Sequence, residues 1–166
     1  KITTTFEKKL LGTAKTLIKN IDFFENRDAL LMHSDNFSFV NLKSILKAHQ
    51  MREKNTLLTM LTFTSKNPSS CGVIVSNSRG VMTSFHEKVR KPPSTCANGA
   101  IYVMSNQFFD WILKNKQDAV DFSLDIIPYL GGRVQTCHTN HPFIDIGTPE
   151  SYIEAKSLAK KISLNK

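Results

Sequence analysis

A chain of 166 residues and 18.7 kDa, 40% hydrophobic and 22% charged, suits one folded domain and excludes a disordered segment. No apolar run approaches the ~18 residues of a membrane span, and Lys1–Glu7 carries no secretory signal, so no membrane partner is expected. Basic residues outnumber acidic ones by 22 to 14, a net charge of +8, but the lysines are scattered and no aromatic residues interleave with them, which argues against a nucleic-acid partner.

In chain order, Gly12-Thr13-Ala14 opens a helix, and Ala29 to His33 is a short apolar run ending in Ser34-Asp35-Asn36, the pattern of a buried strand entering a loop. Asn41 to Met51 has Leu42, Ile45, Leu46 and His49 at helical spacing behind an N-capping Asn41. Thr56 to Thr64 is β-branched and apolar, so strand, helix and strand form the expected parallel crossover of an α/β sheet. Gly72 to Val75 and Val81 to Phe85 flank the turn former Ser76-Asn77-Ser78-Arg79-Gly80 and predict a β-hairpin. The tandem prolines of Arg90 to Ser94 mark a loop, and Gly99 to Met104 a further strand. Helices are expected after Ser105 or Asn106, over Asp121 to Leu130 and over Pro149 to Lys161, with short strands at Val134 to Thr136 and Phe143 to Ile146. Cys71, Cys96 and Cys137 cannot all pair and stand far apart, so a reducing cytoplasm fits better than a disulfide scaffold.

Several residues carry chemistry. Asp35 follows an apolar strand, and the carboxyl ends of strands form the ligand crevice of α/β sheets, although a turn or capping aspartate has the same signature. Asp145 lies between apolar residues in Phe143-Ile144-Asp145-Ile146, where a buried acid needs a partner or a metal. Two separated carboxylates suit Mg²⁺, which takes few protein oxygens and completes its shell with phosphate and water. Glu87-Lys88 also fits an exposed ion pair, and Gly12-Thr13-Ala14 could cradle an anion on free backbone N–H groups. Cys137-His138 and His141 lack the paired cysteines and fourth ligand of a zinc site.

Six segments taken in order go further: Leu11-Gly12-Thr13-Ala14, His33-Ser34-Asp35, Cys71-Gly72-Val73-Ile74, Phe85-His86-Glu87-Lys88-Val89, Asn98-Gly99-Ala100-Ile101-Tyr102 and Asp145-Ile146-Gly147-Thr148-Pro149. Together, from about Phe6 to Ala155, the chain resembles the sugar-phosphate nucleotidylyltransferases, which make nucleotide sugars from a nucleoside triphosphate and a sugar 1-phosphate. The resemblance implies a Rossmann-like mixed, mainly parallel sheet flanked by helices, with a β-hairpin region that recognises the sugar. It implies Mg²⁺ on Asp35 and Asp145, Glu87 on sugar hydroxyls and Lys88 on the sugar phosphate, with Lys88 and Asp35 as catalytic residues. It also implies sugar-facing backbone at Gly72 and at Asn98-Gly99, and a turn lining the nucleoside pocket at Gly12 and Thr13. Mannose with GTP is the mild preference, with glucose and dTTP or UTP open. The alternative is a non-catalytic nucleotide-sugar binding or regulatory module, and a homo-oligomer is a further expected partner.

The resemblance implies one absence. The family's Gly-x-Gly-Thr-Arg-Leu loop and Pro-Lys segment would precede everything in residues 1–166, so the chain reads as a nucleotidylyltransferase domain lacking its first strand and phosphate-binding loop. Preorganised donors of such a loop each contribute about 3 kcal/mol to stabilising a developing charge. These residues alone are therefore expected to release no measurable pyrophosphate from GTP, dTTP or UTP with Mg²⁺ and mannose or glucose 1-phosphate. Turnover with any pairing would show the loop to be dispensable.

Overall fold

The computed structural model describes residues 2–24 and 27–163. A first helix, α1 (Thr13–Lys19), leads to a short strand, β1 (Ala29–Met32), then β2 (Asn36–Ser38), helix α2 (Leu42–Gln50) and strand β3 (Leu58–Thr64). The hairpin follows as β4 (Gly72–Ser76) and β5 (Met82–Glu87), then the long strand β6 (Cys96–Met104) and helix α3 (Asn106–Asn115). The remainder is α4 (Phe122–Asp125), a 3-10 turn over Ile127–Leu130, β7 (Val134–Thr139), β8 (Phe143–Asp145) and α5 (Pro149–Ser163). Expected elements recur with shifted strand ends: β5 runs on to carry Glu87 and β7 takes in Cys137 and His138, while β1 stops at Met32, β3 starts at Leu58 and β8 stops at Asp145. The helix expected over Asp121 to Leu130 is split, because Pro128 has no N–H to continue α4 and instead enters the 3-10 turn.

The main sheet runs β5-β4-β6-β3-β7, with β1 also on β6; β2 and β8 form a separate ribbon. The sheet is mixed and helix-flanked as expected, but the balance of directions differs from a mainly parallel one. Only β3–β7 pairs in parallel, while β1–β6, β3–β6, β4–β5 and β4–β6 pair antiparallel. The physical reason is β6. It occupies the slot between β1 and β3, so the two crossover strands still point the same way but each meets an antiparallel neighbour.

Alternation along the central strands feeds two cores. Leu58, Met60, Tyr102 and Met104 face one side and pack with Phe108, Phe109 and Ile112 of α3, Ala14 and Leu17 of α1, and Phe122. Leu61, Ile101 and Val103 face the other side, against Ile45 of α2. Each fully buried Leu, Ile or Phe contributes about 1.5–3 kcal/mol. The strand read as buried, β1, is half open: Ala29 and Leu31 pack on the core, whereas Leu30 is 39% and Met32 44% exposed on its other face. No helix of the described residues is long and apolar enough to cross a membrane.

Helix α2 begins as its cap dictates, with Asn41 Oδ1 accepting from Lys43 N at 3.0 Å. Its last turn carries His49, which is 3% exposed and whose Nδ1 lies 2.8 Å from Thr59 Oγ1 of β3. The other ring nitrogen, Nε2, has no hydrogen-bond partner among the described residues and stands 3.5 Å from Asp28. Burial, with the nearby Arg52 charge, pulls the His49 pKa down to about 4, against a smaller opposing pull from Asp28. The unfolded chain thus binds a proton near pH 6.5 that the folded one refuses until about pH 4. Folding stability should fall between those limits as pH drops, by roughly 3 kcal/mol at full effect. Urea midpoints at pH 7 and pH 4.5 measure this, and His49→Gln should flatten the difference; an unchanged slope would assign it to other groups.

Candidate functional site

The site grows from an irregularity in β6. Thr62 of β3 pairs with Asn98, but Met60 pairs with Tyr102, so β6 holds two more residues than β3 over this stretch and bulges at Gly99-Ala100. Ala100 takes a left-handed conformation, φ 48°, which for a residue with a Cβ costs about 1–2 kcal/mol. Asn98 supports it: its Oδ1 accepts from Ala100 N at 2.9 Å, and its Nδ2 donates to Tyr102 Oη at 2.7 Å. Tyr102 is fully buried and also bonds to Ser123, and burial holds its phenol protonated well above the ordinary range.

The bulge fastens the loop after β1. His33 N donates to Ala100 O at 3.2 Å, and Asn36 Nδ2 donates to Gly99 O at 3.3 Å, which fixes Asp35 between them. On the same edge of β6, Val73 of β4 pairs with Ala97 while β1 ends with Met32 opposite Ile101. The two strands meet end to end across Asn98–Ala100, and the gap between them opens a cleft of about 170 Å³. Its walls include Asp35, Gly72, Glu87, Lys88, Asn98 and Asp145, residues the sequence nominated from positions 35 to 145.

Each wall residue has a local cause. Gly72 pairs with Glu87, and a Cβ at Gly72 would strike the Glu87 carboxylate and come within 2.5 Å of Phe85 Cζ, so only glycine lets the Glu87 side chain lie across the strand. Burial pushes the Glu87 carboxyl above its usual range, Lys88 pulls it back, and Asp121 adds to the rise. Lys88 is exposed, ends the hairpin with φ 49°, and its N–H donates to Cys71 O at 3.1 Å. Among the described residues, Lys88 and Ala100 are the non-glycine positions with positive φ, and both line the cleft.

Asp35 and Asp145 come together through the ribbon. Asn36 pairs with Asp145, and Ile146 N donates to Asp35 O at 2.8 Å. The expectation that Asp145 is buried is corrected: β8 is a three-residue strand paired only with β2, so Asp145 is exposed, with its Oδ1 accepting from Gly147 N at 2.9 Å. A carboxylate in the turn before β2 and one at the end of β8, beside an open cleft, form a donor set of the kind Mg²⁺ accepts when phosphate and water supply the rest. No group of three or more His, Cys, Asp or Glu able to hold a metal occurs among the described residues.

Three nominated residues lie elsewhere. Gly12, with φ 92°, caps α1 against Val120, where a Cβ would fall 2.5 Å from Val120 O. Ala14 N donates to Val120 O and Thr13 Oγ1 accepts from Phe122 N, both at 2.9 Å, so the Ala14 N–H and the Thr13 hydroxyl are engaged with Val120 and the start of α4. Gly99 sits behind the cleft, its Cα facing Leu61 O and Phe143, and contributes through its carbonyl. Conversely, His33, Phe63, Ala100 and Ser123 line the cleft without having been nominated. His33 stood in the Asp35 segment and Ala100 in the Asn98 segment and both were legible there; Phe63 and Ser123 depend on long-range packing.

The family model described as nucleotidyl transferase matches residues 1–161. The chain belongs to the nucleotidyl transferase family. Curated relatives include a glucose-1-phosphate adenylyltransferase of Thermotoga maritima, 26% identical over 155 residues, and one of Thermomicrobium roseum, 28% identical over 153. Each alignment covers 87% of this chain but only 37% and 36% of the relative, so this nucleotidyl transferase chain spans little more than a third of their length. Its fold is shared with a Bacillus anthracis structure described as a glucose-1-phosphate thymidylyltransferase, with TM-score 0.82, 22% identity, and coverage of 95% of this chain and 64% of that one. HddC from Yersinia pseudotuberculosis matches with TM-score 0.72 and 21% identity over 90% of this chain and 63% of its own.

The Gly72–Glu87 contact generates a test. Gly72→Ala should force the Glu87 carboxylate and the Phe85 ring aside, lowering stability by about 1–3 kcal/mol, as overpacking does. Thermal unfolding measures the loss, and a variant as stable as the parent would mean that both side chains move without strain.

Proposed function

We propose that this chain forms the sugar-phosphate side of a nucleotidyltransferase that joins a nucleoside triphosphate and a sugar 1-phosphate, giving a nucleotide sugar and pyrophosphate. The observation that carries this reading is the convergence of Asp35, Gly72, Glu87, Lys88, Asn98 and Asp145 on one cleft. Glu87 accepts hydrogen bonds from sugar hydroxyls, and Lys88 holds the phosphate. A phosphate monoester is already largely dianionic at neutral pH, so its oxygen attacks the α-phosphorus without a general base on the protein. What the residues supply is position and charge: Lys88 neutralises the nucleophile enough to bring it near the triphosphate and orients it for in-line attack.

Asp35 and Asp145 would hold Mg²⁺, which when bound neutralises phosphate charge. The raised carboxyl of Glu87 suits a group that meets hydroxyls, because a half-buried carboxylate gains most from the hydrogen bonds a sugar brings. Glucose 1-phosphate is the first sugar to test, since the adenylyltransferase relatives carry it in their names. The nucleobase is left to the assay.

In the full-length protein, pyrophosphate release should require a sugar 1-phosphate and a nucleoside triphosphate together. Lys88→Ala should lower kcat/KM on the order of a hundredfold, matching the ~3 kcal/mol of a lost transition-state charge contact. The melting temperature should hold, because the side chain is exposed. Kinetics close to those of the parent would return Lys88 to the role of a surface charge.

A further inference from the structure

The cleft is rich in acceptors and poor in donors. Asp35, Glu87 and Asp145 bring three carboxylates to it, against the single ammonium of Lys88. Carboxylates can accept from sugar hydroxyls, but a phosphoryl oxygen needs a donor, and most side-chain donors here are engaged. Asn36 gives an amide hydrogen to Gly99 O and Asn98 gives one to Tyr102 Oη. Ser70 Oγ donates to Asn67 O at 2.9 Å, and Ser123 bonds to Tyr102. Besides Lys88, the cleft side chain whose donor makes no hydrogen bond among the described residues is His33.

Its position suits the task. His33 follows the last residue of β1, and its own N–H is tied to Ala100 O, so the backbone that carries the ring is fixed to the bulge where β1 and β4 meet. Lys88 approaches the same gap from the hairpin, its N–H on Cys71 O. Of the other imidazoles, His49 bonds to Thr59, His86 to Ser84 and His138 to Thr62 and Thr64, and His141 lies away from this cleft, in a hollow beside Val40 and Asn41. We propose that His33 is a second phosphoryl-binding residue of the cleft, its ring N–H donating to a phosphoryl oxygen that Lys88 also contacts. This rests on the reading of the cleft as a sugar-phosphate site and extends it to a residue outside the nominated set. The phosphoryl group belongs either to the sugar phosphate or to the nucleotide, and the ligands tested separate the two.

The experiment is calorimetric titration of the full-length protein at pH 8 with glucose 1-phosphate, with glucose, and with a nucleoside triphosphate, in the parent and in His33→Phe, His33→Gln and Lys88→Met. His33→Phe keeps a flat ring and removes the donor; it should weaken binding of a phosphorylated ligand about tenfold and leave glucose unchanged. His33→Gln restores a side-chain N–H and should recover most of the loss, which a merely structural ring would not do. Loss confined to glucose 1-phosphate assigns the contact to the sugar phosphate, and loss confined to the triphosphate assigns it to the nucleotide. If Lys88→Met weakens glucose 1-phosphate binding but His33→Phe weakens neither phosphorylated ligand, the role of His33 is overturned and the cleft reading stands. If neither variant matters, both fall.

Discussion

Antiparallel strands accommodate surplus residues only by bulging, and β6 does so opposite Leu61, between the Thr62–Asn98 and Met60–Tyr102 pairs. That distortion turns Ala100 into the left-handed region and presents two carbonyls, Gly99 O and Ala100 O, to the loop that follows β1. Without it, β6 would offer a regular ladder, and β1 and β4 would have no reason to stop where they do. The strain is held by hydrogen bonds from half-buried Asn98 to Ala100 N and to buried Tyr102, which also bonds to Ser123. Backbone strain retained beside a cleft is the usual mark of a site whose geometry matters more than its stability.

Electrostatics then sort the walls. The ribbon brings Asp35 and Asp145, while the main sheet brings Glu87 and Lys88, so the two kinds of charge enter from different elements. Glu87 is the half-buried one and its carboxyl is pushed upward, whereas Asp35 and Asp145 are exposed. Exposed carboxylates remain hydrated until a cation arrives, which fits Mg²⁺ better than a dedicated protein cage would. A partly buried carboxyl next to an ammonium fits hydroxyl recognition. Burial is the largest cause of the division, with Lys88 and Asp121 acting on Glu87 in opposite directions.

Much of this was legible in the sequence, for a definite reason. Asp35, Glu87, Lys88 and Asp145 sit at a strand end or beside a turn, where local pattern reports position, whereas Gly72 and Asn98, the latter inside β6, were legible only through the order of the family's motifs. Strand direction was not legible: a strand-helix-strand pattern fixes the relative orientation of β1 and β3 but is silent on whether another strand slips between them, as β6 does. Nor was the exposure of Asp145, since flanking apolar residues look the same in a central strand and in a three-residue ribbon. The close approach at Gly12 was not legible either, because a glycine opening a helix has one signature for two uses, an anion cradle or a close approach by another backbone, here that of Val120.

The site is assembled from contacts of very unequal range. Glu87 meets Gly72 across a hairpin, whereas Asn36 meets Asp145, 109 positions further along the chain. Loop-closure entropy grows only as the logarithm of length, about 0.6 kcal/mol per doubling, so the long pairing is affordable in stability but slow to find. A three-residue ribbon cannot offset even that by its own hydrogen bonds. The stacked rings of Phe63 and Phe143, 4.5 Å apart and 19° from parallel, therefore matter more than their distance from the chemistry suggests. They clamp the ribbon to β3 through apolar contact, and the carboxylates of the cleft take their places as a consequence of that packing.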